Sequence, residues 1–390
     1  MKEVATKKEQ MWTTHLYSEQ SRQTPMRQTG QAGVWWVFVF LVKSVSIIFF
    51  IVSIIVSCRK EGPVDGGSSE QWQLLGLESE TVTAIAVHPT NPNIIYAGTA
   101  FDFSAGHLGK LFKSTNSGKT WDTLIIGPPL FNFRDIVIDP LNPDILYTIP
   151  LPILKSTNGG STWFNISNGI RIDWETRASS IAIDPQNTNI LYAGTGGFYG
   201  GRFYKSTNGG ESWKDIARGD TLTEGVISLA IDPNNSNIVY AGTAMNGRLW
   251  KTTDGGDTWI LTGLGETSQM IFDILIHPAK SQTIFAGISE IGVWKTEDGG
   301  NTWIPYNEGI LDSIYNAVKI IMRRKNLELF LVGTSVDNGW IYKKRNDKEP
   351  WLKFGIDNLR KSYYYSDITQ SNSENIIYFG NKGIYSYKFR

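Results

Sequence analysis

Cysteine is almost absent from this chain: Cys58 is the only one among 390 residues. A single cysteine excludes an intrachain disulfide framework and any zinc site built on thiolates. Histidine is scarce as well. His15, His88, His107 and His277 show no metal-ligand spacing, so neither a metal nor a cofactor is implied. Neither sign of charge is in excess, because 37 Lys+Arg face 37 Asp+Glu. The global electrostatic footprint of a nucleic-acid binder is therefore missing. No Gly-x-Gly-x-x-Gly, P-loop, His-Glu-x-x-His or nucleophile-elbow motif occurs. Glycine and aromatic residues are what the chain has in quantity: 39 Gly, 14 Trp, 16 Tyr and 18 Phe. Many glycines among aromatics predict an all-β protein with tight hairpins.

One long apolar run, Val34 to Ser57, follows a polar segment, residues 1–33, that is expected to be disordered. At 24 residues the run is long enough to cross a bilayer as a helix. Alternatively Lys43 closes a charged region and Val45 to Val56 is the core of a signal peptide. Ile55-Val56-Ser57-Cys58 resembles the bacterial lipobox, which implies lipidation at Cys58. Met26 is a second candidate start. Under either reading, Lys2, Lys7, Lys8, Arg22 and Arg27 keep the N-terminal side cytoplasmic. The rest of the chain is then expected in the cell envelope, outside the cytoplasm and anchored to a membrane. Residues 58–71, with Gly-Pro-Val-Asp-Gly-Gly-Ser-Ser, read as a flexible tether.

From there on the chain repeats. Lys251-Thr-Thr-Asp-Gly-Gly-Asp-Thr-Trp259 recurs with small changes at 113–121, 155–163, 205–213 and 295–303. A strand ending in Asp-Pro or His-Pro and a Tyr-Ala-Gly-Thr segment are further landmarks. The latter, with its variants, falls at 96, 147, 192, 240, 285, 331 and 378, in steps of 45 to 51 residues with a mean of 47. That period suits a four-stranded propeller blade. In the unit at 226, strands are expected over 226–231, 237–243, 248–252 and 258–262, with the first apolar on both faces.

The ends of the repeat predict how the ring closes. Trp121, Trp163, Trp213, Trp259, Trp303 and Trp351 mark six fourth strands. Trp72 lies 49 residues before Trp121 with no preceding strands of its own, while Gly383 to Phe389 matches a third strand after which the chain stops. The strand at Trp72 should therefore complete the last blade. Residues 72–390 are predicted to form one seven-bladed β-propeller whose N-terminal strand closes the ring.

The unit Ser/Thr-x-Asp/Asn-x-Gly-x-Thr/Ser-Trp resembles the Asp-box, or BNR repeat, of sialidases, xyloglucanases, sortilin-type receptors and photosystem II assembly factors. Within the box, Asn116, Asn158, Asn208, Asp254 and Asp298 are expected to bond backbone N–H groups across the turn. The glycines supply positive φ and the Trp packs beneath the turn. Lys113, Lys155, Lys205, Lys251 and Lys295 are expected on a solvated edge, and His88 and His277 as turn caps.

Strand order places the boxes on one face. The more variable loops and the connections between blades lie on the other, where a rigid scaffold usually carries its binding residues. Candidate ligand contacts there are Phe101, Arg134, Trp174, Arg177, Tyr199, Arg202, Trp340 and Tyr364, a set suited to a protein or glycan. An enzymatic reading would need two convergent carboxylates, for which Asp102, Asp173 and Glu175 are the candidates. Asn132-Phe133-Arg134-Asp135 lacks the Ile-Pro of the sialidase segment. Xyloglucanases resembling this chain use two propellers, and sortilin-type receptors use ten blades with a cysteine-rich module. The assembly-factor type is a single tethered propeller. The leading expectation is a non-catalytic binding or assembly module, with a glycoside hydrolase or lyase as the alternative.

Overall fold

The computed structural model describes residues 72–101, 106–126, 132–150, 152–171, 178–196, 201–217, 224–244, 246–310, 316–334, 339–355, 367–371 and 375–389. The chain divides into two units, Met1–Lys60 and Glu61–Arg390, and all described residues belong to the second. Among them no helix is long and apolar enough to cross a membrane. The run 34–57, Cys58 and the tether lie outside the described residues.

The described residues form a seven-bladed β-propeller of antiparallel four-stranded sheets. Blades 2 to 6 are separate sheets, each running in chain order from the axis outwards. Blade 4, for example, consists of Val226–Asp232, Asn235–Thr243, Leu249–Thr252 and Ile260–Leu261. The outer strand is shorter than the 258–262 read from the sequence, because the box turn occupies its first residues.

Blades 7 and 1 are joined by one long strand, Trp72–Val87. Its first part pairs with the end of the chain, Trp72 with Tyr387, Gln73 with Ser386 and Leu74 with Tyr385. After an irregular stretch at Gly76 and Leu77, both with positive φ, the same strand becomes the innermost strand of blade 1 and pairs with Ile95–Thr99. The element Ile376–Lys388 turns back on itself near Gly383, so that the Phe389 N–H donates to the Asn375 carbonyl at 2.8 Å. It thus supplies both middle strands of blade 7, with Asp367–Gln370 innermost. The N-terminal strand closes the ring as the sequence predicts.

The core lies in the layers between blades. Adjacent sheets can come close because the second strand carries a glycine where the next blade's inner strand crosses. A Cβ on Gly194 would stand 2.4 Å from the Val226 carbonyl, and one on Gly98 would stand 2.5 Å from the Phe133 Cβ. Trp72 seats the closing strand against Phe354, Phe379 and Tyr387, with ring centroids 5.9, 6.4 and 5.3 Å away.

Candidate functional site

The box turns are built as their residues dictate. Asp254 Oδ1 accepts from the Thr258 N–H at 2.9 Å, and Oδ2 accepts from the Thr258 hydroxyl at 2.5 Å. Asn116, Asn158, Asn208 and Asp298 accept the equivalent N–H bond at 2.9 to 3.0 Å. Gly255 and Gly256 stand at φ of 71° and 98°, which the turn requires. The hydrogen bonds from Thr258 hold the Asp254 carboxyl far below the usual range, and those from Thr302 do so for Asp298. His88 Nδ1 accepts from the Thr90 and Asn91 N–H groups and His277 Nδ1 from that of Ala279, so both are turn caps.

The box lysines are not a solvated edge, and this corrects the expectation. Each does alternate out of the third strand, but the space it enters belongs to the next blade. Lys113, Lys155 and Lys205 donate to the carbonyls of Gly159, Gly209 and Gly255 at 2.7 Å, and Lys251 to that of Gly299 at 2.8 Å. The cross-strand tyrosine of the Tyr-Ala-Gly-Thr segment donates to the same carbonyl, at 3.0, 3.3, 2.9 and 3.0 Å for Tyr96, Tyr147, Tyr192 and Tyr240. The ammonium also lies 5.4 to 5.5 Å from that tyrosine's ring centroid. Burial pushes the Tyr96 phenol up to about 12. Blade 5 differs on both sides of the contact. Phe285 replaces the tyrosine, and the degenerate turn of blade 6 offers the Asp347 carboxylate, which receives Lys295 at 2.9 Å and the Tyr306 hydroxyl at 2.5 Å.

A charge-assisted hydrogen bond and a cation–π contact per interface predict that Lys205→Met destabilises the protein by about 1–3 kcal/mol. Urea unfolding checks this. An exposed lysine would change the midpoint hardly at all.

A second polar system lies around the axis, on inner strands that are expected from the sequence to be apolar on both faces. Asp135, Ser180, Ser228, Asp273, Lys319 and Asp367 occupy equivalent inner-strand positions. Except for Lys319, their side chains stitch one inner strand to the next. Ser228 Oγ donates to the Ile271 carbonyl at 2.7 Å, Asp273 Oδ2 accepts from the Ile320 N–H at 2.7 Å, and Asp367 Oδ2 accepts from the Ile85 N–H at 2.6 Å. The Asp135 carboxylate accepts from the Ile181 N–H. Lys319 Nζ stands 3.3 Å from Asp273 Oδ1 and interacts with Asp367 and Asp135. Its side chain keeps 44% of its exposure, so water reaches it within the ring of strands. Aligning the seven units at their strand ends would have revealed the shared position.

Desolvation raises Asp135 and lifts Asp367 to about 6, against the opposing pull of Lys319 and backbone N–H groups. The Asp367 value exceeds the unfolded one of about 3.9, so the folded state holds the extra proton between those values. The Asp367 contribution to stability is therefore fully present below about pH 4 and lost as pH rises through 6. Asp254 and Asp298, with depressed values, contribute above about pH 4 and lose that contribution as pH falls further. Asp367→Asn keeps an acceptor for Ile85. It is expected to gain about 1–2 kcal/mol relative to the parent between pH 4 and 7.5, read from urea midpoints at both values.

On the loop face the described candidates separate. The Phe101 N–H donates to Asn132 Oδ1 at 2.7 Å, which ties the loop of blade 1 to the entry of blade 2. The Arg134 N–H donates to the Ile149 carbonyl, and its side chain is half-buried. Arg202 is exposed and pairs with Asp215 at 3.4 Å. Trp340, expected as a ligand contact, is instead 3% exposed and packs edge-on against Tyr342. Its position faces the layer between blades 5 and 6, where an indole fills volume. Asp102, Asp173, Trp174, Glu175, Arg177, Tyr199 and Tyr364 lie outside the described residues. A polar cluster unnoticed in the sequence centres on Arg248, which donates to Glu224 Oε1 at 2.7 Å and Glu266 Oε1 at 3.0 Å. Asn246 joins Glu224 at 2.8 Å. Among the described residues no group of three His, Cys, Asp or Glu is arranged to hold a metal.

Repeat, blade and turn together define an Asp-box-like β-propeller. Comparison with known proteins agrees. The family model described as Sortilin-Vps10 (sortilin, neurotensin receptor 3) matches residues 201–332. Among solved structures, an ancestral GH74 enzyme is 22% identical with a TM-score of 0.52, over 63% of this chain and 34% of that one. This chain thus spans about a third of that enzyme's length. YCF48 from Cyanidioschyzon merolae is 15% identical with a TM-score of 0.58, over 82% of this chain and 99% of that one. YCF48 bound to D1 peptide is 14% identical with a TM-score of 0.60, over 84% and 98%. No curated protein sequence matches.

Proposed function

We propose that this protein is a membrane-tethered, extracytoplasmic propeller that binds a protein partner with its loop face and performs no catalysis there. One observation carries the reading. The repeated residues are engaged in structure: the box Asp and Asn side chains close their own turns, and Lys113, Lys155, Lys205 and Lys251 fasten each blade to the next blade's glycine carbonyl. The loop face is left as the surface that the repeat does not employ. In support, YCF48 bound to D1 peptide, a propeller aligned over 98% of its length, holds a peptide. The apolar run 34–57 and Cys58 supply the anchor in this reading, in the cell envelope outside the cytoplasm.

Cross-linking from residues at Arg202 and Arg248 in intact cells tests the partner. Capture that is specific to these positions and lost in Arg248→Glu supports the proposal, and equal capture from Lys214 on the outer edge opposes it. Palmitate incorporation lost in Cys58→Ala supports lipidation. Unchanged incorporation sinks it.

The likeness to an ancestral GH74 enzyme keeps a second reading, glycoside hydrolysis through Asp102, Asp173 or Glu175. A hydrolysis screen decides between the two. Turnover abolished by Asp173→Asn or Glu175→Gln would replace the binding proposal.

A further inference from the structure

The face that carries the boxes is electrically divided. In blades 3 to 5 its turns present Glu211, Asp254, Asp257, Glu297 and Asp298, with Lys280 the basic exception. In blades 6, 7 and 1 the exposed charges reverse. The first turn of blade 6 carries Arg324 and Lys325, its second carries Arg345 and Lys348, the last strand ends in Lys388, and the box of blade 1 carries Lys119. Among the described acidic residues of this sector, Asp122 is exposed at the start of the blade 1 outer strand, and the others are engaged. Asp347 holds Lys295 and Tyr306, Glu349 accepts from Asn346, and Glu328 is buried between Arg323 and Lys343.

Contacts hold this sector together. The Arg323 guanidinium lies 3.8 Å from the Phe389 ring centroid, and the Arg324 N–H donates to Gln370 Oε1 at 3.2 Å. Trp121 of blade 1 donates to the Leu75 carbonyl of the closing strand at 3.0 Å. At the tip of the first blade 6 turn, Leu327 stands 44% exposed at φ 61°, beside Arg324 and Lys325. An aliphatic tip among basic side chains is the pairing that enters the boundary of an anionic bilayer.

The course of the chain points the same way. Trp72 begins an outer strand and pairs with Tyr387, the neighbour of Lys388. Outer strands start at the box face, so the chain enters the propeller within this basic sector. The 14 residues 58–71 reach at most about 46–50 Å when fully extended. We infer that the box-face sector of blades 6, 7 and 1 docks on the anionic lipid surface to which the chain is tethered, which turns the loop face away from the membrane. This rests on the tethered reading above. A lipid surface is favoured over nucleic acid because the apolar run belongs to the same chain and Leu327 lies within the patch.

The test uses the full-length chain with vesicles of phosphatidylcholine alone or mixed with phosphatidylglycerol, read by acetylation of individual lysines. Lys119, Lys325, Lys348 and Lys388 are expected to be protected on the anionic vesicles. Lys214 and Lys280 should react equally on both, and the protection should vanish at high salt. Arg324→Glu, Lys325→Glu and Lys348→Glu combined should abolish it with the unfolding midpoint retained. Single neutralisations should weaken it roughly fivefold each. Equal labelling on the two vesicles overturns the inference. So does protection by a DNA duplex without protection by anionic vesicles. Flotation with phosphatidylcholine reports the tether separately. If that fails, salt-sensitive flotation with the anionic vesicles still decides the docking.

Discussion

Trp72→Ala is expected to destabilise the propeller by about 3–5 kcal/mol, the range for removing a large buried aromatic. Trp72 is 9% exposed and fills the space between Phe354, Phe379 and Tyr387. Its strand supplies the outer strand of blade 7 from the other end of the chain, by hydrogen-bonded pairing, and continues as the innermost strand of blade 1. Loss of the indole weakens the seam first, so blade 7 should open before the rest. Hydrogen exchange checks this. The amides of Tyr385 and Tyr387, next to the closing strand, should lose protection ahead of those in blade 4. Uniform loss in both blades would mean that the seam is no weaker than the other interfaces. Trp72→Phe, which keeps an aromatic, should recover much of the stability.

Lys319→Met is the second large effect. The substitution keeps most of the side-chain volume and removes the cation that Asp273, Asp367 and Asp135 surround. Breaking one side of a dry ion pair costs about 3–5 kcal/mol. Water reaches this lysine, so screening lowers the expectation to about 2–3 kcal/mol at neutral pH. The loss should shrink as the carboxyls take up protons below about pH 6, the value to which Asp367 is already raised. It should also shrink when Asp273→Asn is combined with it, because fewer negative charges then lack a partner. Urea unfolding of the single and double variants at two pH values measures both effects. A loss independent of pH would assign Lys319 a packing role alone.

These two residues differ in how far the sequence announced them. Trp72 was legible because it broke a period: an outer-strand tryptophan without the three strands that should precede it. Lys319 was hidden because an inner strand reads as one apolar run, and a lone lysine in it has no local explanation. Its partners arrive from Asp135, Asp273 and Asp367 on three other blades, separated by 46 to 184 residues of chain. The box lysines stood in between. Their presence in every box was evident, but alternation along a strand says only which face of a sheet a side chain leaves. It does not say whether that face meets water or another sheet.

The sequence by itself determined the strand period, the number of blades, the chemistry of each box turn and the place where the ring closes. All of these are set by contacts between residues close in the chain, or by the regular recurrence of such contacts. Only the tertiary structure decided that Lys205 reaches a carbonyl 50 residues away. The same holds for the burial of Trp340, the axial girdle of carboxylates around Lys319, and the gathering of Lys119, Lys348 and Lys388 into one sector. Each depends on which blade lies beside which, and on the distance at which two sheets pack. Those are properties of the closed ring, which no single repeat carries.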